Sequence, residues 1–178
     1  MGEGGPEVNK RMIIRAEEER DQAAVFEVNR HAFDREDEAK LVDVLRVEAD
    51  PVVSLVAEED GAVIGHIMFS PVELSGSPDL KIMGLGPMAV TPQRQRSGVG
   101  SSLVRAGVER CRALGYGAVV VLGHPEFYPR FGFRPASQFG VGSEYEVPDD
   151  VFMLLELQPG YLADRVGTVR YHDAFRNV

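Results

Sequence analysis

The pattern of apolar and polar positions predicts a chain that alternates between strands and helices. Short β-branched or alternating apolar runs predict the strands, and the Asp60-Gly61 dipeptide between two of them is typical of a hairpin turn. The run at 118–122 (AVVVL) is apolar at every position, as in a strand buried on both faces of a partly parallel sheet. Strands are therefore predicted over 12–16, 52–58, 62–72, 81–90, 118–122, 151–157 and 167–171.

Three longer segments show the three-to-four-residue spacing of apolar positions that predicts amphipathic helices. They cover 18–29, 36–47 and the stretch from the glycines at 98 and 100 to Leu114. Gly115 follows the last of them as the expected left-handed C-cap. A shorter helix or tight turn is predicted over 125–131, with Pro125 at its first position.

The order of these elements predicts a single mixed α/β domain. Neither an internal repeat nor a linker interrupts the sequence. The Gly-rich, polar segment 1–11 is predicted to be a flexible N-terminal tail, and 12–178 to form the domain.

Composition narrows the classes of function. Of the 178 residues 44% are hydrophobic and 26% charged, as in ordinary soluble domains. The formal net charge of −9 argues against a nucleic-acid partner, which would favour a basic surface. No apolar run approaches the roughly 20 residues of a membrane span, and the N-terminus lacks the apolar region of a signal peptide. We therefore expect a cytoplasmic protein that contacts neither nucleic acid nor membrane.

The cysteine and histidine content disfavours disulfide and metal chemistry. One cysteine cannot form an internal disulfide, and the four histidines are scattered without the spacing of metal ligands. We expect no metal cofactor. Cys111 lies on the apolar face of the predicted third helix, so it is predicted to be a core residue and not a nucleophile.

The segment 84–104 carries the strongest chemical signal, because it combines a strand, a loop with two glycines and a helix. The first backbone N–H groups of a helix have no intrahelical partners and carry a partial positive charge. Gly98 and Gly100 would let a phosphate approach the backbone closely, and Arg94 and Arg96 add two cations. The segment is predicted to bind a phosphorylated ligand, with a plain strand–helix turn as the alternative.

Two common nucleotide-binding motifs do not fit this loop. A Walker A loop needs Gly-Lys-Ser/Thr, whereas Gly100 precedes Ser101 here. A dinucleotide fingerprint needs a third glycine at the position that Leu103 occupies. ATP and dinucleotides are therefore disfavoured as ligands.

The loop 95–100 (QRSGVG) resembles the Gln/Arg-x-x-Gly-x-Gly/Ala signature of the GNAT acetyltransferase superfamily. The segment 125–133 (PEFYPRFGF) resembles the Tyr-x-x-x-Gly-Phe element of the same family, and the order of elements matches from about 12 to 158. Within the superfamily, the chain is similar to a bacterial branch of predicted N-acetyltransferases with unassigned substrates. The resemblance implies an α/β fold whose mixed central sheet is splayed at strands 4 and 5 and flanked by helices. It also implies acetyl-coenzyme A as co-substrate, and dimers are common in families of this kind.

The resemblance further implies which residues act. Backbone N–H groups of 96–101 would hold the pyrophosphate of coenzyme A, and the main chain around Met88 would pair with the pantetheine arm like an added strand. The implied catalytic residues are Tyr128, as the general acid that protonates the leaving thiolate, and Met88, whose N–H would stabilise the oxyanion. The implied coenzyme-binding residues are Met88, Ala89, Val90, Gln95, Arg96, Ser97, Gly98, Val99, Gly100, Ser101, Tyr128 and Phe131.

Several residues around this implied site keep more than one interpretation. Pro129 would interrupt a regular helix, so the sequence leaves open how the Tyr128 side chain is oriented. The general base is open between Glu73, His66 and a water relay, and His66 is more typical of a core histidine. His124 lies near the expected acceptor. The acidic loop 32–39 (AFDREDEA) lies where the family builds its acceptor wall, although a solvated charge run is the more ordinary interpretation.

Three functions follow from the sequence. The first is an acetyl-CoA-dependent N-acetyltransferase that moves the acetyl group directly to a primary amine of a small molecule or peptide. The second is a non-catalytic coenzyme A or acyl-CoA sensor module. The third is a nucleotide-binding or plain structural domain. The sequence does not identify the acceptor.

Overall fold

A computed structural model describes the chain over residues 12–178, and the predicted tail at 1–11 lies outside these residues. The helices are α1 Gln22–Phe33, α2 Asp37–Glu48 and α3 Val99–Ala113. The strands are β1 Met12–Ala16, β2 Val53–Glu59, β3 Ala62–Leu74, β4 Ile82–Val90, β5 Ala118–Leu122, β6 Arg134–Pro135, β7 Val141–Ser143, β8 Phe152–Glu156 and β9 Gly167–Arg170.

The predicted strands are confirmed to within about two residues at each end, while the predicted bounds of two helical segments were wrong. The segment Glu19–Asp21 forms a short 3₁₀ turn closed by a capping box with Glu18, so α1 begins only at Gln22. Asp34 then takes the left-handed conformation (φ 53°) and ends α1 at Phe33. After β5 the helical turn is a 3₁₀ helix, Tyr128–Phe131, so Pro125 does not begin it.

The central sheet is mixed, as expected, with the order β1-β2-β3-β4-β5-β8-β6. Neighbours along this path are antiparallel except for β4 and β5, which run parallel. Strand β9 pairs antiparallel with the end of β3, and β7 pairs parallel with β9. The short strands β6 and β7 were not predicted, because two or three residues leave no periodic signal.

The expected splay between β4 and β5 is present and has a local cause. Their ladder runs only from Ile82–Ala118 to Leu85–Val121, whereas β4 continues to Val90. On its other edge β4 stays paired with β3, but Gly86 and Pro87 together face one residue of β3, which is a β-bulge. A bulge bends the strand that contains it. The end of β4 therefore leaves β5, and its main chain faces an open cleft.

Helices cover both faces of the sheet. On one face α3 packs its apolar side against a core that includes Phe69, Leu103 and Cys111. On the other face α1 and α2 pack around Val25 and Leu45. A third apolar cluster joins β5, β8 and the C-terminal segment. Within residues 12–178, the helices are each too short or too polar to span a bilayer.

Candidate active site

A cavity of about 1130 Å³ opens where β4 and β5 separate. One end is lined by the second half of β4, the loop at 95–98 and the first turn of α3. The segment from the end of β5 through Tyr128 forms another wall. The opposite end is lined by the α1–α2 region and by residues of the C-terminal segment. The cavity thus connects the predicted phosphate loop with a separate compartment.

The loop before α3 is shaped to present backbone amides. Arg96 (φ 64°) and Gly98 (φ 89°) take left-handed conformations, which turn the chain sharply into the helix. Helix α3 begins at Val99, and the Ser102 N–H donates to the Gly98 carbonyl at 3.1 Å. The amides before Ser102 therefore precede the helical hydrogen-bond ladder and carry the positive end of the helix dipole.

Gly100 faces the gap between Met88 of β4 and Phe127, which lies in the segment after β5. A Cβ atom at this position would lie 3.6 Å from Met88 Cε and 3.7 Å from Phe127 Cζ. The backbone of α3 therefore approaches Met88 without an intervening side chain. This leaves an open passage from the phosphate loop to the bulge of β4.

Most of the implied coenzyme-binding residues meet in this cavity. They are Met88, Ala89, Val90, Gln95, Arg96, Gly98, Gly100, Ser101 and Tyr128. The Gln95 amide donates to the Val90 carbonyl at 3.1 Å, which ties the loop to the end of β4.

Ser97, Val99 and Phe131 do not line the cavity. The Ser97 hydroxyl donates to the Arg94 carbonyl, and the Val99 side chain is buried in the core. Phe131 packs edge-on against Phe127 at 5.1 Å between ring centroids and under the Arg105 guanidinium. Only the main chain of Ser97 and Val99 remains available for the implied contacts.

Tyr128 is buried in the cavity wall by close aromatic packing. Its ring packs edge-on against Phe127 and Phe133, at 5.0 and 5.6 Å between centroids. A Cβ atom at Gly123 would lie 2.3 Å from Tyr128 Cε2, so only glycine at 123 allows this position of the ring. Burial raises the pKa of Tyr128 to about 12. The phenol therefore keeps its proton at neutral pH.

Neither candidate base from the sequence, His66 or Glu73, lies on the cavity wall. His66 is fully buried, with Nδ1 3.2 Å from the Asn29 amide nitrogen and Nε2 2.8 Å from Ser54 Oγ. The amide donates to Nδ1, so Nε2 carries the proton and donates to Ser54. Glu73 pairs with Arg170 in the β3–β9 ladder. His124, by contrast, does line the cavity.

His66 is expected to make the fold acid-sensitive. Burial, aided by the Arg46 charge, lowers its pKa from 6.5 to about 3. Between these pH values the unfolded state binds more protons, so the free energy of unfolding should fall as the pH drops from about 6.5. The slope is at most about 1.4 kcal/mol per pH unit. Urea unfolding at stepped pH should show this loss in the wild type and a flatter profile in His66→Gln.

His31→Gln provides the matched control, because His31 is exposed on α1. The loss of stability on acidification should persist in this variant, because His66 is still present. Equal slopes for the wild type and His66→Gln would show that His66 is not the neutral buried group described above.

The far end of the cavity is built from residues that the sequence analysis largely missed. Of the acidic loop 32–39, only Ala32, Phe33 and Glu38 line it. Glu38 is buried, and its Oε1 accepts a hydrogen bond from Arg35 Nε at 2.6 Å. The C-terminal part of the chain adds Tyr145, Tyr171 and Phe175. Tyr145 and Tyr171 lie in irregular segments and Phe175 lies in a short 3₁₀ helix, Asp173–Asn177, and no local pattern there marks a residue as part of a site.

Cys111 is a core residue, as predicted. It is fully buried on α3, and burial raises the pKa of its thiol to about 12. Over residues 12–178, the side chains of His, Cys, Asp and Glu form no group of three or more that could hold a metal ion.

Known proteins share both the sequence pattern and the fold. Residues 13–136 match the family model described as an acetyltransferase (GNAT) domain. The uncharacterized N-acetyltransferase YhbS of Escherichia coli strain K12 is 36% identical over 165 residues, covering 92% of this chain and 98% of that protein. The uncharacterized N-acetyltransferase YjhQ of the same strain is 40% identical over 134 residues, covering 73% and 74%.

Two crystal structures align with nearly the whole chain. Escherichia coli YhbS in complex with coenzyme A superimposes with a TM-score of 0.88 at 35% identity, covering 93% of this chain and 92% of that one. A GNAT family acetyltransferase from Brucella melitensis in complex with acetyl-CoA gives a TM-score of 0.76 at 37% identity, covering 93% and 99%.

Proposed function

This chain belongs to the GNAT acetyltransferase family, and we propose that it transfers the acetyl group of acetyl-coenzyme A directly to a primary amine of a small molecule or peptide. The observation that carries the proposal is the cavity at the splay of β4 and β5, because it brings Met88, the amides before α3 and Tyr128 to one space. The relatives crystallised with coenzyme A and acetyl-CoA support this choice of co-substrate.

The phosphate end of the coenzyme fits the loop before α3. The amides from Arg96 to Ser101 offer hydrogen-bond donors to the pyrophosphate, and the helix dipole favours its negative charge. The Arg96 and Arg130 side chains line the same cavity and add positive charge. The missing side chain at Gly100 leaves room for the pantetheine arm to continue toward Met88.

The open edge of β4 fits the pantetheine arm. After Leu85 the main chain of β4 has left β5, so the peptide groups around Met88 face the cavity. An amide-containing arm that lies along this edge satisfies them as an added strand would. In this arrangement the Met88 N–H donates to the thioester carbonyl and stabilises the negative charge that develops there.

Tyr128 acts as the general acid in this proposal. The acetyl group arrives as a thioester, which is an activated acyl donor. The lone pair of the neutral amine forms the new C–N bond, and the C–S bond breaks with its electron pair left on sulfur. Tyr128 donates its proton to that sulfur, the nitrogen releases one proton to water as the amide forms, and the Tyr128 phenolate takes a proton back from water. The raised pKa of Tyr128 keeps the donor protonated throughout the neutral range.

A non-catalytic coenzyme A sensor is the alternative function, and turnover separates the two. Purified protein is incubated with acetyl-CoA and a panel of primary amines while free thiol is followed. We expect thiol release that depends on an amine, together with an N-acetyl product by mass spectrometry. Coenzyme A binding without thiol release on any amine selects the sensor, whereas absence of binding rejects both functions.

A further inference from the structure

Two phenol oxygens on the cavity wall are buried without a well-formed hydrogen bond among the described residues, although Tyr145 as a whole is half-buried and its hydroxyl lies beside the Glu144 carboxylate. They are the hydroxyls of Tyr145 and Tyr171, and both residues line the cavity. Tyr171 is only 5% exposed, and the two ring centroids are 6.0 Å apart. Buried hydroxyl groups are nearly always hydrogen-bonded in folded proteins. The pair therefore marks a position where a ligand would supply the missing partner.

The charge around these hydroxyls favours a cationic partner. Glu144 Oε1 accepts the Tyr171 N–H at 3.0 Å, and the buried Glu38, itself paired with Arg35, lines the same compartment. Burial raises the pKa of Tyr171 and of Tyr145, and the Glu144 carboxylate raises both further, although Arg176 opposes this at Tyr145. The arginines of the cavity wall, Arg96 and Arg130, belong to its coenzyme end.

The Tyr171 ring lies along β4 from Met88, so the hydroxyl pair and the expected thioester occupy different parts of the cavity. The Tyr171 ring covers Gly84, where a Cβ atom would lie 2.9 Å from Tyr171 Cε1. Gly84 precedes Met88 by four strand residues, which corresponds to roughly 13 Å at about 3.3 Å per residue, slightly shortened by the bulge. The wall of the same cavity includes Phe33, Leu41 and Phe175, whose apolar side chains suit an aliphatic chain.

We propose that the acceptor is a short aliphatic diamine, with one amine attacking the thioester near Met88 and the other bound as an ammonium by the hydroxyls of Tyr145 and Tyr171. An ammonium has three donors and no acceptor, so it can serve both phenol oxygens and a further acceptor at once. A carboxylate at the same place would be repelled by Glu144. The inference rests on the proposed function and adds the class of its acceptor.

Matched acceptors that differ only at the far end test this proposal. Putrescine, n-butylamine and γ-aminobutyrate share the reacting amine and end in an ammonium, a methyl and a carboxylate group; cadaverine, n-pentylamine and δ-aminovalerate form a longer series. We expect kcat/KM for the better diamine to exceed that for its monoamine by about tenfold or more, with the amino acid lowest. A monoamine or amino acid that equals or exceeds both diamines overturns the proposal.

Tyrosine variants test whether the hydroxyls of Tyr145 and Tyr171 cause the preference for a diamine over a monoamine. Tyr171→Phe and Tyr145→Phe should each raise KM for the diamine by about fivefold or more, and KM for n-butylamine by a clearly smaller factor. Tyr116→Phe is the matched control, because Tyr116 is a buried tyrosine outside the cavity wall. Equal losses on diamine and monoamine in the two cavity variants would contradict the assignment.

Binding keeps this inference separate from the proposed function. Coenzyme A is first titrated into the protein by calorimetry. Absence of binding at this stage contradicts the proposed function itself and not the inference about the diamine. The protein loaded with coenzyme A is then titrated with putrescine, cadaverine and their monoamines. Tighter binding of a diamine, lost in Tyr171→Phe, supports the inference even without turnover, and equal affinities overturn it.

Discussion

Tyr128→Phe is expected to lower kcat by about 100-fold while the affinity for coenzyme A changes by less than about threefold. The substitution removes the only titratable proton of the side chain and keeps the ring that packs against Phe127 and Phe133. The coenzyme A thiolate that leaves would then have to take its proton from water. Steady-state kinetics with a saturating amine measures the first quantity, and calorimetry with coenzyme A measures the second.

Tyr116→Phe again serves as the control, since it removes a hydroxyl from a buried tyrosine of the same core without touching the cavity. Its kcat should stay close to that of the wild type. If Tyr128→Phe retains more than about a third of the wild-type kcat, Tyr128 is not the general acid.

Gly100→Val is expected to weaken coenzyme A binding by about 100-fold, which corresponds to about 2.7 kcal/mol. Its Cβ atom would point between Met88 and Phe127, at contact distances of 3.6 and 3.7 Å, so the fold itself can accept the first carbon. The two further carbons of valine would enter the passage that the pantetheine arm needs. Calorimetry with coenzyme A measures the loss.

Ser102→Val is the matched control for Gly100→Val. It places the same β-branched side chain in the same turn of α3, but Ser102 does not line the cavity. Thermal unfolding should show folded protein in both variants. Wild-type affinity in Gly100→Val would mean that the coenzyme does not pass beside this glycine.

The sequence marked the segments that line one end of the cavity because their signals are local. Gly98 and Gly100, the arginines beside them and Tyr128 lie in two short segments, each next to a strand with a clear apolar pattern. The splay between β4 and β5 was implied by the family resemblance. Its immediate cause, two residues of β4 facing one of β3, depends on pairing register, which a single sequence does not display.

The far end of the cavity was largely not predicted because it is made of long-range contacts. Tyr145 and Tyr171 lie more than 50 residues after the end of β4 and outside any regular helix. His66 looked like a possible base in sequence, yet its place on β3 turns it into the interior toward Asn29 and Ser54. Which face of a strand meets the cavity is decided by the packing of helices on the sheet.

A crystal structure of the protein with coenzyme A tests most directly whether Tyr128 faces the reacting sulfur. The account predicts that the phenol oxygen of Tyr128 lies within about 3.5 to 4 Å of the coenzyme sulfur, in reach for proton transfer in one step. It also predicts that the pantetheine arm runs along β4 beside Met88. A sulfur atom more than about 6 Å from Tyr128, with another proton donor beside it, would contradict the central claim.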